Sequence, residues 1–188
     1  MLNEKRIIEA EKNMKKYLDE EMIRKQGFSK LIFDTYMRNY KESLSLLSHI
    51  HENNLSKLWT IVIAYYSMFY ITNAVLLKIG YKVGSKLSHK VAADALIKLG
   101  RHKLRESLLE DYEEAKEEAL EIASAKADSL VESFDNERRK RSVFQYETTD
   151  EIKSTKAETS FKRAKEFGSE MEKMIDSMSN KRSNTQNI

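Results

Sequence analysis

The sequence predicts an all-α protein, an up-down bundle of about five to six helices. Three observations carry this. The 188 residues contain no proline, where average usage is about 5%, and proline breaks helix interiors. Glycine occurs only five times, which favours long uninterrupted helices. Apolar residues recur at steps of three and four through most of the chain, the spacing of one helix face.

Taken in order, Ile7, Met14, Leu18 and Met22 mark a first helix over about 3–24, studded with Glu and Lys. Gly27 punctuates, and Ser29 is a candidate N-cap. Phe33, Met37, Tyr40, Leu44, Leu47 and Ile50 then form one apolar stripe, interrupted at Asn53 and Asn54. The next helix is expected from about Leu55 to Ile79, stopping at Gly80, where a C-terminal glycine belongs. Gly80 to Ser88 (GYKVGSKLS) reads as a loop, with Ser88 capping a short helix that ends at Gly100. A long acidic helix follows, its buried edge marked by Leu108, Tyr112, Ala115, Ala119, Ile122, Ala123, Leu130 and Phe134. After the basic and aromatic run ERRKRSVFQYE (Glu137 to Glu147), Thr148 and Glu151 have capping-box spacing. The last helix shows Ala157, Phe161, Ala164, Gly168, Met171, Ile175 and Met178, and the polar residues 179–188 are expected to fray. With no internal repeat and no long linker, one domain over 1–188 is expected.

Leu58 to Leu77 (LWTIVIAYYSMFYITNAVLL) carries no formal charge over twenty residues, about the length that spans a bilayer. Against a membrane role stand Thr60, Tyr65, Tyr66, Ser67, Tyr70, Thr72 and Asn73, since tyrosine prefers the interface to mid-membrane. The amphipathic helices also need a central apolar partner. A buried core helix is the expected role, with Tyr65, Tyr66, Met68 and Phe69 in the core. Met1 to Met22 is charged throughout, unlike a signal peptide, so a cytoplasmic protein is expected.

Composition excludes several chemistries. Without cysteine there is no disulfide framework, thiolate nucleophile or cysteine zinc site. A net charge of +3 is too small to argue for nucleic acid by itself. No glycine-rich phosphate loop, carboxylate–histidine metal spacing or supported serine–histidine arrangement is present, so no cofactor and no metal are expected. His49 and His51, two apart, do not share a helix face and read as solvent-facing; His102 reads as a loop residue.

The run AYYSMFYITNAVLLKIGYKVGSKLSHK (Ala64 to Lys90) resembles the central helix-loop-helix of the HEPN (higher eukaryotes and prokaryotes nucleotide-binding) family. The likeness lies in the paired tyrosines followed by Met68 and Phe69, the small Ala74, the closing glycine, and Ser88-His89 opening the next helix. It continues in an arginine-rich helix end, Tyr146, and the final helix KAETSFKRAKEF, covering about 29–178 and leaving the N-terminal helix outside. The resemblance implies a helical bundle, commonly a homodimer. In many members a motif of Arg, four to six residues, then His serves metal-independent RNA cleavage. Arginine would stabilise phosphate charge while an acid-base group activates the ribose 2′-hydroxyl.

This chain departs from the motif at the histidine. Downstream of Arg138, Arg139 and Arg141 the sequence offers Phe144, Gln145 and Tyr146, but no histidine. The ribonuclease motif is therefore read as degenerate, with Arg139, Arg141 and Tyr146 the candidate catalytic residues. Arg138, Arg139, Lys140, Arg141 and Phe144 are the candidate RNA and phosphate contacts. The plainer account of the four cations is that they complement the negative end of the preceding helix. His89 is read as packing or capping its helix start, and Tyr146 either as packing at the start of the last helix or as a modified residue. Some HEPN toxins carry Arg, four residues, His, one residue, Tyr, and a partner nucleotidyltransferase transfers AMP to that tyrosine. From Arg139 this chain has Phe144 in the histidine place and Tyr146 in the tyrosine place. Two functions follow as expectations: an RNA-associated protein of a toxin-antitoxin or defence system, or a non-catalytic partner of a minimal nucleotidyltransferase or general interaction module.

Overall fold

The uncharged stretch forms most of one helix, and the other elements are arranged around it. The computed structural model describes residues 2–135 and 150–185, and the side chains of 2–124 and 153–179. In chain order the elements are α1 (Glu4–Asp19), β1 (Ile23–Lys25), α2 (Lys30–Glu52), α3 (Lys57–Ile79), β2 (Tyr81–Val83), α4 (Ser88–Gly100), α5 (Glu106–Asp135) and α6 (Asp150–Thr185). The fold is an all-α helical bundle with one small β-ribbon.

At its start α3 is capped by Ser56, whose side chain accepts from the Trp59 N–H, and it ends at Gly80 with φ of +105°. That left-handed conformation is open to glycine and costly for other residues. Helices α2, α5 and α6 pack along α3, and β2 and α4 cover its C-terminal part. From Ile71 to Leu77 every residue is buried, so this stretch is covered on all sides. Along α3, Ser67 Oγ donates to the Ala64 carbonyl and Asn73 Nδ2 to the Phe69 carbonyl. By length and composition α3 could cross a membrane; here the chain's own helices bury it. Each fully buried side chain such as Met68, Ile71, Leu76 or Leu77 contributes about 1.5–3 kcal/mol relative to exposure.

The N-terminal helix is shorter than its apolar pattern suggests. It stops at Asp19; Glu21 takes a positive φ of 54°, and Met22 and Ile23 turn into a small core with Met14, Tyr17, Leu76, Val83 and Val91. Ile23 opens β1, which pairs antiparallel with β2 in the register Ile23↔Val83, Arg24↔Lys82, Lys25↔Tyr81. The expected loop after Gly80 therefore contains a strand. Ser88 is the first residue of α4 rather than its cap, because Leu87 occupies the N-cap position at φ +50° and makes no side-chain cap bond. Ser29 does hold the N-cap position of α2, again without a side-chain bond. The last helix runs to Thr185, and Ser179 Oγ bonds back to the Ile175 carbonyl at 3.0 Å.

Helix α1 is held by a buried carboxylate. Asp94 of α4 is fully buried and is met by three α1 side chains: Arg6 at 2.5 Å, Asn13 at 2.9 Å and Tyr17 at 2.8 Å. Arg6 also reaches Glu113 of α5 at 2.9 Å. A buried charge is tolerated only when paired and hydrogen-bonded in this way.

Helix α6 approaches α2 closely where Gly168 faces Tyr40. A Cβ at Gly168 would lie 3.2 Å from two ring carbons of Tyr40 and closer still to its hydroxyl. Tyr40 is buried and cannot swing into solvent. Gly168→Ala is expected to destabilise the fold by about 1–3 kcal/mol, the usual cost of overpacking, with part recovered by adding Tyr40→Phe; urea denaturation of the three variants measures both effects.

Candidate functional site

Four residues, 53–56, join α2 to α3, and α6 begins at the same end of the bundle. Between them lies a half-enclosed cavity of about 170 Å³, lined by the end of α2 (Ile50, His51), the turn (Asn54, Ser56), the first turn of α3 (Lys57, Thr60) and the start of α6 (Ser154, Ala157, Glu158). Next to it Ile61, Val62, Ile122 and Ala157 form a small apolar cluster of their own. Asn54 holds φ at +50°, a conformation that Asn tolerates better than most residues. That brings the chain round so that Ser56 can cap α3.

His51 and Glu158 are the chemically distinctive pair. His51 Nε2 lies 3.1 Å from a Glu158 carboxylate oxygen. The imidazole stacks on Phe161, with centroids 4.0 Å apart and planes within 11°. Lys162 Nζ holds the other Glu158 oxygen at 3.0 Å, and this hydrogen bond, more than His51, keeps the carboxyl below its ordinary range. The expectation that His51 faces solvent is corrected: its side chain is 25% exposed because α6 crosses beneath it. His49 is exposed, and Asn53 Nδ2 lies 3.3 Å from its Nδ1. Nothing in the local sequence announces the His51–Glu158 pair, since its members come from helices far apart in the chain and meet only after packing.

All six residues singled out from the motif, Arg138, Arg139, Lys140, Arg141, Phe144 and Tyr146, lie outside the described residues, as does Thr148 of the capping box. Their chain position is fixed by connectivity alone. The run 136–149 joins α5 to α6, and α6 opens at Asp150, only four residues before Ser154 in the cavity wall. On α6 itself, Arg163 is taken up by Asp111 at 2.8 Å and by Glu114, and Lys156 lies 3.8 Å from Glu118, all on α5.

His89 sits at the opposite end of α3's aromatic run. Its ring lies 4.5 Å from Phe69 and between 5.5 and 5.7 Å from Tyr65 and Tyr66, centroid to centroid. Its Nδ1 is 2.7 Å from the Tyr65 hydroxyl. Burial, followed by Tyr112, pushes the Tyr65 hydroxyl far above its ordinary range. Tyr65 and Met68 are fully buried, as expected for core residues, while Tyr66 and Phe69 are half-buried. His102 lies in the turn after α4. Among the described residues no group of three or more His, Asp or Glu could hold a metal ion.

Comparison of the chain with protein-family models, with curated proteins and with solved structures finds no match in any of the three.

Burial, with a smaller contribution from Lys116, lowers the His89 pKa from its ordinary 6.5. A histidine whose folded pKa lies below the unfolded value stabilises the fold above pH 6.5, and that contribution is lost as pH falls from there through the folded pKa. Acidification from pH 7 to 5 is therefore expected to lower the thermal midpoint of the wild type more than that of His89→Gln. Glu11, Glu158 and Glu170, all lowered by lysine partners, act at lower pH and cancel in the comparison. Equal slopes would contradict this assignment.

Proposed function

We propose that the chain is a HEPN-like, RNA-associated protein of a toxin-antitoxin or defence-type system, acting as a homodimer, with a ribonuclease motif degenerate at the histidine. The observation that carries the reading is the position of the basic and aromatic run Arg138–Tyr146. In the chain it lies between α5 and α6, and Tyr146 precedes Ser154 of the cavity wall by eight residues. Two further features support it. The segment that resembles the HEPN helix-loop-helix forms the core helix α3, the short strand β2 and α4. The bundle also exposes Leu46, Leu55 and Trp59 around the α2–α3 turn, apolar surface of the kind that marks interaction sites.

The chemistry of the reading is electrostatic. Arg139 and Arg141 contact backbone phosphates with charge-assisted, fork-shaped hydrogen bonds. Arg138 and Lys140 add charge without the same alignment, and Phe144 stacks on a base or ribose. Phe144 cannot accept a proton, so binding rather than cleavage is the main property. Tyr146 is the residue on which a partner minimal nucleotidyltransferase would place AMP; the added bulk and negative charge beside the arginines would block RNA.

The test is binding of a mixed single-stranded RNA pool in metal-free buffer across a salt series. Affinity is expected to fall linearly on a double-logarithmic plot. Arg139→Ala with Arg141→Ala is expected to weaken binding and flatten the slope by about 1.4, the change for two lost phosphate contacts on a single strand. Arg138→Ala with Lys140→Ala is expected to do less. Absence of salt-dependent RNA binding overturns the reading.

A further inference from the structure

We propose that the cavity between the α2–α3 turn and α6 is a nucleobase pocket, taking one unpaired base that presents an amino group: adenine, cytosine or guanine in preference to uracil. This rests on the RNA reading above and deepens it by naming what is recognised in addition to phosphate.

The size of the cavity limits its occupant. At about 170 Å³ it is smaller than the ~300–1,000 Å³ of pockets that enclose whole drug-sized ligands. It suits a single ring system rather than a complete nucleotide. Its walls supply what such a ring requires. The imidazole of His51 lines the cavity, and Phe161, stacked on it at 4.0 Å, stiffens it as a platform. Unstacked RNA bases are commonly held on such aromatic or histidine faces and read along their hydrogen-bonding edges.

The lining carries one carboxylate, Glu158, and one ammonium group, Lys57, so a phosphate placed there would sit against a carboxylate. A carboxylate instead accepts from exocyclic amino groups, as Asp and Glu do from the N4 amino group of cytosine. Uracil has no amino group, and the carbonyl oxygens flanking its one ring N–H are repelled by the carboxylate. Asn54 can donate and accept at the same edge, and Thr60 and Ser154 add hydroxyls to the lining. The pairing of Glu158 with His51 at 3.1 Å and with Lys162 at 3.0 Å fixes the acceptor in place before any ligand arrives.

The experiment compares binding of ten-residue single-stranded oligo(A), oligo(C) and oligo(U), and of free adenosine, cytidine and uridine, to the full chain and three variants: His51→Ala, Glu158→Gln and Asn54→Gly. Thermal melts establish that each variant is folded. Asn54→Gly keeps the left-handed backbone and removes only the side chain. The wild type is expected to prefer oligo(A) and oligo(C) over oligo(U) by about tenfold, within the range for a hydrogen-bonded base edge. The preference should vanish in Glu158→Gln and fall in the other two, with the salt-dependent part of binding retained. RNA binding with no base preference, or with a preference unchanged in all three variants, overturns the pocket and leaves the RNA reading standing. No RNA binding, together with adenosine or cytidine binding that His51→Ala removes, overturns the RNA reading and keeps the pocket. Binding of neither polymer nor nucleoside overturns both.

Discussion

Removing the uncharged stretch Leu58–Leu77 from water dictates the arrangement of nearly everything else. A helix that is apolar on all sides cannot stop at one partner, because whichever face is left over stays wet. Here α2, α5 and α6 cover its length, while β2 and α4 close around its C-terminal half. The amphipathic stripes on those helices are the complementary halves of the same burial. Gly80 at the end of α3 turns the chain sharply at its left-handed φ, and Gly168 on α6 admits the phenol of Tyr40.

Most of this architecture is legible in the sequence because its signals are periodic and long. The limits of α2, α3 and α5, the Gly80 stop, and the buried edges at Tyr40, Leu47, Leu108, Tyr112, Ala115 and Ala119 follow from spacing alone. What is not legible is short or non-local. A three-residue strand such as Ile23–Lys25 has no room to display alternation, and its partner lies beyond two helices. The true end of α1 is hidden because Met22 continues the helical spacing while its backbone has already left the helix. Asp94 looks in sequence like an ordinary polar position of a short helix; only the return of α1 over α4 makes it a buried acceptor for three side chains. The His51–Glu158 pair is hidden for the same reason. The motif residues from Arg138 to Tyr146 rest on resemblance, and in the chain they precede α6.

The two polar clusters differ in kind. Around Asp94, which is itself buried, the groups are spent on one another, with Arg6 bridging to Glu113; such a network specifies how α1 docks. Around His51 the groups border open space, and one of them is a carboxylate whose partners leave it exposed by about half. The second arrangement is the one able to exchange its internal contacts for those of a ligand at small cost.

The central claim is that RNA meets this chain at the α2–α3 turn and along the run that leads into α6. Ultraviolet crosslinking of bound single-stranded RNA, followed by mass-spectrometric mapping of the adducts, tests it most directly. The account predicts adducts on Phe144 or Tyr146 and on His51. Adducts confined to the opposite end of the bundle, around β1, β2 and the start of α4, would contradict it.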